Sequence, residues 1–256
     1  MKIGFSFVFV LILIVLVLGS IFELSSKDSK FANDKSLVIN SGGMKSAAEK
    51  CFVLRVIDGD TIVCDIGEVR LLGVNTPEKG KDYYDEATWF LRGLENRSVL
   101  LLSDLEDIDR YGRMLRYVFY EDDLINAKIL EDGWGTSFML GGLMFEDKFL
   151  RAENDAKNGG VGLWGGSEDV CGVCVELVEL NAVDEYFVIG NICEFDCDLS
   201  GWYVKDDANH FIKLGEGVLG VEEVKRFESK SKIWNNDGDR FFMRDGEGGL
   251  VVYWEY

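Results

Sequence analysis

Phe52-Val53-Leu54-Arg55-Val56-Ile57-Asp58-Gly59-Asp60-Thr61-Ile62-Val63-Cys64 is the stretch that decides the fold class. Two β-rich runs flank Asp58-Gly59, a dipeptide that accepts the positive φ of a tight hairpin turn. A third strand is predicted from Val69 to Val74, ending at the turn Asn75-Thr76-Pro77-Glu78, which holds the chain's single proline. Asp85 to Glu95 reads as a helix with Trp89, Phe90, Leu91 and Leu94 on one side. Strands are predicted again at Ser98–Leu102 and Met114–Tyr120, then helices around Leu124–Glu131 and Phe145–Asn158. Hairpins first and helices interleaved late predict an α+β body with a small closed sheet.

Outward from that body the texture changes twice. Gly159 to Gly166 is glycine-rich and marks a boundary. Beyond it lie short β-like runs at Val173–Leu180, Tyr186–Ile189, Gly201–Lys205, His210–Leu214, Arg240–Arg244 and Leu250–Trp254, separated by turns such as Asn235-Asn236-Asp237-Gly238. That pattern predicts an all-β sandwich. Upstream, Leu24 to Lys50 reads as a polar tether. Ile3 to Phe22 is an almost unbroken apolar run, and about 20 helical residues span one bilayer core. Lys2 before it and Glu23 after it place the N-terminus in the cytoplasm and the rest outside. A membrane anchor and a cleaved signal peptide both remain open, and both export the chain. The expected organisation is therefore residues 1–23 as anchor or signal, 24–50 as linker, 51–165 as the α+β body and 171–256 as the sandwich.

Composition limits the chemistry. The chain has 256 residues, 47% of them hydrophobic, and a single histidine. One histidine excludes multi-histidine metal cages and paired-histidine acid–base catalysis. Net charge is −19 overall, with −9 in residues 51–165 and −12 in 166–256. No segment offers a broad basic surface for coating nucleic acid. A local arginine cluster can still dominate a cleft, because distant carboxylates are screened beyond about 8 Å.

Three segments carry the charged residues that turns should gather: Asp58-Gly59-Asp60-Thr61, Arg70 to Glu78, and Asp109-Arg110-Tyr111-Gly112-Arg113. Each alone has a structural reading, since aspartates make turns and Thr-Pro-Glu opens helices. Together they supply phosphodiester cleavage without histidine. A hard cation takes oxygen ligands from Asp and Asn side chains or backbone carbonyls. A carboxylate activates water, and guanidinium forks meet charge growing on phosphate oxygens.

On these residues the chain resembles the staphylococcal nuclease (thermonuclease) family, from about Cys51 to Trp164. The likeness covers the Asp-Gly-Asp-Thr hairpin, Arg70-Leu71-Leu72-Gly73-Val74-Asn75-Thr76-Pro77-Glu78 and Asp109-x-Tyr111-Gly112-Arg113. It continues through Asn126-Ala127…Gly133 and Ala152…Leu163-Trp164. The resemblance implies an OB-type barrel of five strands with three helices and a Ca2+-dependent nuclease acting on DNA or RNA. It implies that Asp60 and the Thr76 carbonyl are calcium ligands and that Glu78 is the general base. Arg70 and Arg113 become the phosphate-binding pair, and Tyr111 a nucleotide contact. Asn75 departs from the family's usual aspartate; its amide oxygen can still coordinate calcium, with weaker affinity expected. The family's substrate-lining tyrosine falls near Phe138 or Met139 here, so the resemblance does not carry that contact over. Non-catalytic nucleic-acid or envelope binding is the alternative function, disfavoured because Arg70, Glu78 and Arg113 are all present.

The second body resembles the lamin tail domain, an immunoglobulin-like sandwich. The matching residues are Val188-Ile189-x-Asn191, Asp198-Leu199-Ser200-Gly201-Trp202-Tyr203-Val204-Lys205-Asp206, and Trp234-Asn235-x-x-Gly238-Asp239…Arg244-Asp245. That resemblance implies a binding or attachment module with an unidentified partner; an uncleaved N-terminal helix would add the membrane as a partner. Trp202 reads as a core residue and His210 as a sheet residue. Cys171-x-x-Cys174 and Cys193-x-x-x-Cys197 have the spacing of a structural Zn2+ site, while an oxidising compartment favours two disulfides. Cys51 and Cys64 lie on the two arms of the first hairpin, where a cross-strand bridge is one option and the sequence leaves the register open.

Overall fold

Strand β1 (Glu49–Asp58) turns through Gly59 into β2 (Thr61–Cys64), which pairs antiparallel with β3 (Gly67–Leu71). After a short β4 (Val74–Asn75) come helix α1 (Tyr84–Arg92) and strands β5 (Ser98–Leu102) and β6 (Met114–Tyr120). The first residues of β1 pair with β5 and its later ones with β2, with two bulges bending it between the two partners. A parallel pairing of β3 with β6 (Val69↔Met114, Leu71↔Arg116) closes the order β3-β2-β1-β5-β6 into a five-stranded barrel. Its interior is filled by Val53, Ile62, Val69, Leu101 and Tyr117, capped by Phe149, all fully buried. The Cys51–Cys64 disulfide joins the hairpin arms. This is a computed structural model, and it describes residues 38–41, 44–138, 141–208 and 210–256. The apolar run Ile3–Phe22 and Met139 lie outside them. Among the described residues no helix is long and apolar enough to cross a membrane.

The third strand stops earlier than the predicted Val74. Gly73 has φ +72°, and a Cβ there would sit 2.4 Å from the Phe149 ring. The chain therefore breaks away from the barrel at Leu72-Gly73, and Val74–Asn75 pairs instead with β8 (Thr136–Ser137), a strand too short to announce itself. A two-residue β7 (Asp123–Leu124) leads into α2 (Ile125–Glu131), and α3 (Glu146–Gly159) ends at a left-handed Gly160. Fully buried Asn126 ties these pieces together. Its Oδ1 accepts from Val118 N–H at 2.8 Å, and its Nδ2 donates to Leu72 O at 2.9 Å. Helix α1 ends at Arg92 rather than Glu95 because Gly93 starts a run of tight turns through Arg97. Short strands at Val38–Ser41 and Met44–Ala47, and the start of β1 at Glu49, lie inside the stretch read as a polar tether.

C-terminal to the barrel two sheets face each other. One is β9 (Val175–Asn181), β10 (Tyr186–Asn191) and β15 (Val224–Glu228). The other has the order β13-β12-β16-β17, from β12 (Tyr203–Lys205), β13 (Phe211–Lys213), β16 (Arg240–Arg244) and β17 (Leu250–Glu255). A small pair, β11 (Cys197–Asp198) with β14 (Val218–Leu219), closes one end. Phe187, Trp202, Trp234 and Phe241 form the centre of the shared core. Of the two readings of these cysteines the favoured disulfides hold and zinc does not: Cys171 bonds Cys197 and Cys174 bonds Cys193, and no described cysteine is free. Their Cα separations of 5.7 and 5.2 Å suit disulfides, and pairing consumes all four thiols that a tetrathiolate would need.

Residues 39–256 form one compact unit, because the C-terminal sheets are fused onto the barrel. Trp164 packs against both Phe242 and Tyr253, which also touch each other. The linker pairs with β17 through Leu250 N–H to Gly165 O and Ser167 N–H to Leu250 O. Buried Arg240 reaches across to Glu153 at 2.7 Å and to Ser137 O, and buried Arg244 donates to Leu163 O.

Candidate active site

The hairpin turn after β1 is the centre of the site. Gly59 is required there by close approach: a Cβ would fall 2.5 Å from Ala87 Cβ and 2.7 Å from Thr76 Oγ1. With only a hydrogen at that position, the turn presses against α1 and against the Thr76 segment that left the barrel. Asp60, 7% exposed, collects the result. Its Oδ2 accepts from Thr76 N–H and from Thr76 Oγ1, both at 3.1 Å. Its Oδ1 accepts from Thr61 Oγ1 at 2.9 Å and meets Arg70 Nε at 3.1 Å. Register explains the last contact, since Thr61 and Arg70 face each other across β2 and β3.

Arg113 arrives from the loop before β6. Asp109 Oδ2 holds its Nε at 2.7 Å, and its Nη1 donates to Thr61 Oγ1 at 3.4 Å. Burial would raise Asp109, but hydrogen bonds from the Arg113 backbone and guanidinium outweigh it and hold the carboxyl below its ordinary range. Both arginines therefore converge on one carboxylate–hydroxyl pair, Asp60 and Thr61. Tyr111, 68% exposed, has its ring 4.7 Å from the Arg110 guanidinium and 5.4 Å from that of Arg113. An open cleft of about 330 Å³ lies along Glu68, Tyr111, Gly112 and Arg113.

Glu78 lies two residues beyond Thr76, solvent-exposed, in the irregular segment before α1. Asn75 is used differently from the expectation for a pure metal ligand: its Nδ2 donates to Asp207 O in the C-terminal sheets at 3.1 Å, an anchor an aspartate could not provide. Phe138 is 45% exposed and its N–H donates to Gly73 O at 3.1 Å.

Sequence reading passed over Asp58, although Asp-Gly-Asp contained it. Its Oδ1 accepts from Asp60 N–H at 3.1 Å. Burial, then the adjacent negative charge of Asp60, push its carboxyl up to about 6. Such a shift marks two carboxylates sharing one small volume. An all-oxygen donor set of this kind fits a hard cation. Among the described residues no third carboxylate closes on the pair, so neutral oxygens such as the Thr76 carbonyl would complete the shell.

Residues 68–166 match the family model described as Staphylococcal nuclease homologue. The chain is similar to a thermonuclease of Staphylococcus hyicus, 34% identical over 48% of this chain and 81% of that protein. It is also similar to a thermonuclease of Staphylococcus intermedius, 42% identical over 33% of this chain and 57% of that protein. An uncharacterized endonuclease of Haemophilus influenzae is 28% identical over 44% of this chain and 65% of its own length. The family match ends at Gly166, before the C-terminal sheets. With its closed barrel and two arginines gathered on a buried aspartate, the chain belongs to the staphylococcal nuclease family and is a nuclease, a phosphodiester hydrolase.

Proposed function

We propose that this nuclease is exported and calcium-dependent, cuts DNA and RNA internally, and leaves 3′-phosphate ends as its family likeness implies. The observation that carries the reading is the chain Arg70–Asp60–Thr61–Arg113, which aims two guanidinium groups at one oxygen-lined turn. Asp58, Asp60 and the Thr76 carbonyl are the residues that would hold calcium, with Asn75 Oδ1 as a neutral addition. Bound there, calcium supplies Lewis-acid polarisation of a phosphoryl oxygen. The protein's own groups do the rest. Arg70 and Arg113 neutralise charge that grows on the scissile phosphate, and their planar forks fix its orientation. Glu78, exposed and free to meet solvent, removes a proton from the attacking water. Tyr111 stacks on a neighbouring base or sugar at the rim.

Export is supported by the apolar N-terminal run and by the three disulfides, which persist in oxidising compartments. The N-terminal run would either remain as a membrane anchor or be cleaved. Residues 171–256 act as a lamin-tail-like attachment module whose partner is not a nucleic acid, given their negative charge. Digestion of single-stranded DNA with calcium, with chelator, and with Glu78→Gln tests the reading. Cleavage is expected only with calcium, and Glu78→Gln should lose about 10²–10⁴-fold in rate. Equal cleavage in every lane would overturn it.

A further inference from the structure

The segment that carries Glu78 has little barrel structure of its own. Residues 76–83 are irregular, and Glu78 through Asp82 are exposed. Barrel contacts hold its ends: Thr76 on Asp60 at the start, and Tyr83 beside the Trp134 ring, 6.2 Å between centroids, at the end. The C-terminal sheets add a grip at each end. At the first, Asn75 Nδ2 donates to Asp207 O, while the Asp207 side chain is fixed by Arg240 at 2.9 Å and by Thr136 Oγ1 at 3.3 Å. At the second, Tyr203 Oη donates to Asp82 Oδ2. Asp82 lies directly against Gly248, where a Cβ would come within 2.7 Å of its Oδ2. Beside it the Lys81 ammonium sits 3.3 Å from the Phe211 ring centroid, and the Phe211 and Tyr203 rings are 5.5 Å apart.

We propose that the C-terminal sheets set the catalytic position of Glu78, with Tyr203, Phe211 and Asp207 as positioning residues acting through segment 75–83. The proposal rests on the assignment of Glu78 as the base. Ordering an exposed irregular segment costs conformational entropy at every residue, and two outside grips supply that ordering before substrate arrives. Burial and the Asp82 hydrogen bond raise the Tyr203 hydroxyl's pKa, so it stays a donor across the neutral range. The same geometry accounts for Asn75: the Asp207 carbonyl requires a donor at that position. Misplacing a reacting group by about 1 Å can cost about 10²-fold, so loosening one grip of two should cost about tenfold.

The test uses the full chain. Tyr203→Phe removes only the phenolic oxygen, and Phe211→Ala removes the face under Lys81. Each should lower kcat about tenfold, leave KM and the calcium midpoint within about twofold, and raise amide exchange at Lys79–Tyr83 in the substrate-free protein. Adding Asp82→Asn to Tyr203→Phe should cost nothing further, because the two act through one bond. Val183→Ser, on an exposed turn of the same sheets, should match the wild type. Wild-type kcat in Tyr203→Phe with unchanged exchange at 79–83 overturns the proposal. Exchange rising evenly over the barrel, or activity that merely follows the thermal midpoint, also overturns it. Exchange is read without substrate, so a clamp present in a protein that fails to cut DNA would discredit the role of Glu78 alone.

Discussion

Arg113→Ala is expected to slow phosphodiester hydrolysis by about 10³–10⁵-fold, the scale of a well-placed arginine in phosphoryl transfer. The geometry gives this change a large expected cost. Asp109 takes Nε, which fixes the guanidinium plane and turns Nη1 toward Thr61 at the turn bearing Asp60. Arg113 also lines the open cleft beside Tyr111. A lysine would keep the charge but lose the fork, so Arg113→Lys should recover only a small part of the loss. Fold should be little affected, because Arg113 is part-exposed and its guanidinium reaches the buried barrel residue Thr61 through a long 3.4 Å hydrogen bond. Turnover at saturating calcium, beside a melting curve for each variant, checks both statements. An Arg113→Ala enzyme within tenfold of the wild type would remove this residue from the transition state.

Arg240→Ala is expected to destabilise the protein by about 3–5 kcal/mol, the usual cost of breaking a buried pair from one side. Arg240 is 8% exposed and satisfies Glu153, Asp207 and the Ser137 carbonyl at once. Its loss leaves two carboxylates and a carbonyl facing each other across the join. At about 2–4 °C per kcal/mol for a unit of this size, the midpoint should fall by roughly 6–20 °C. Removing both charges, as Arg240→Met with Glu153→Met, should recover only part of that, because Asp207 and the Ser137 backbone groups stay without their partners. The pH dependence has a definite sign. Burial would raise Glu153, but Arg240 and Lys157 outweigh it and lower its pKa in the folded protein. The pair therefore stabilises above the ordinary carboxylate pKa of 4.5, and that contribution disappears as pH falls through the depressed value. The gap between wild type and Arg240→Ala should accordingly narrow in acid. A midpoint unchanged by Arg240→Ala would mean that the join carries no stability.

The barrel half was legible because its information is local. Asp58-Gly59 declares a turn, alternation declares the strands on either side, and the spacing from Asp60 to Arg70 puts both at the same end of one hairpin. Arg113 was legible by motif, although only the fold explains why it meets Thr61. The break after Leu71 was hidden, because Leu72-Gly73-Val74 continues a β-like run and the reason it stops is the Phe149 ring, far away in the chain. Strand β15, Val224-Lys225-Arg226-Phe227-Glu228, was missed for a different reason. Its inward positions are Lys225 and Phe227, so only one of them looks apolar. The thiol pairing could not be read from spacing, since the same four cysteines satisfy either chemistry until their Cα positions are known. Least visible was the Asn75–Asp207 bond, whose partners are 132 residues apart. What looked like a substitution within a calcium site is, in three dimensions, also a fastening to another sheet.

The three-ring cluster of Trp164, Phe242 and Tyr253 has a practical consequence. The glycine-rich joint is not a swivel, and the peptide bond there carries little of the attachment. A protease that nicks the exposed Gly159-Gly160 step should yield two fragments that co-elute as one particle and separate only in denaturant. Cutting the string would not release the bead.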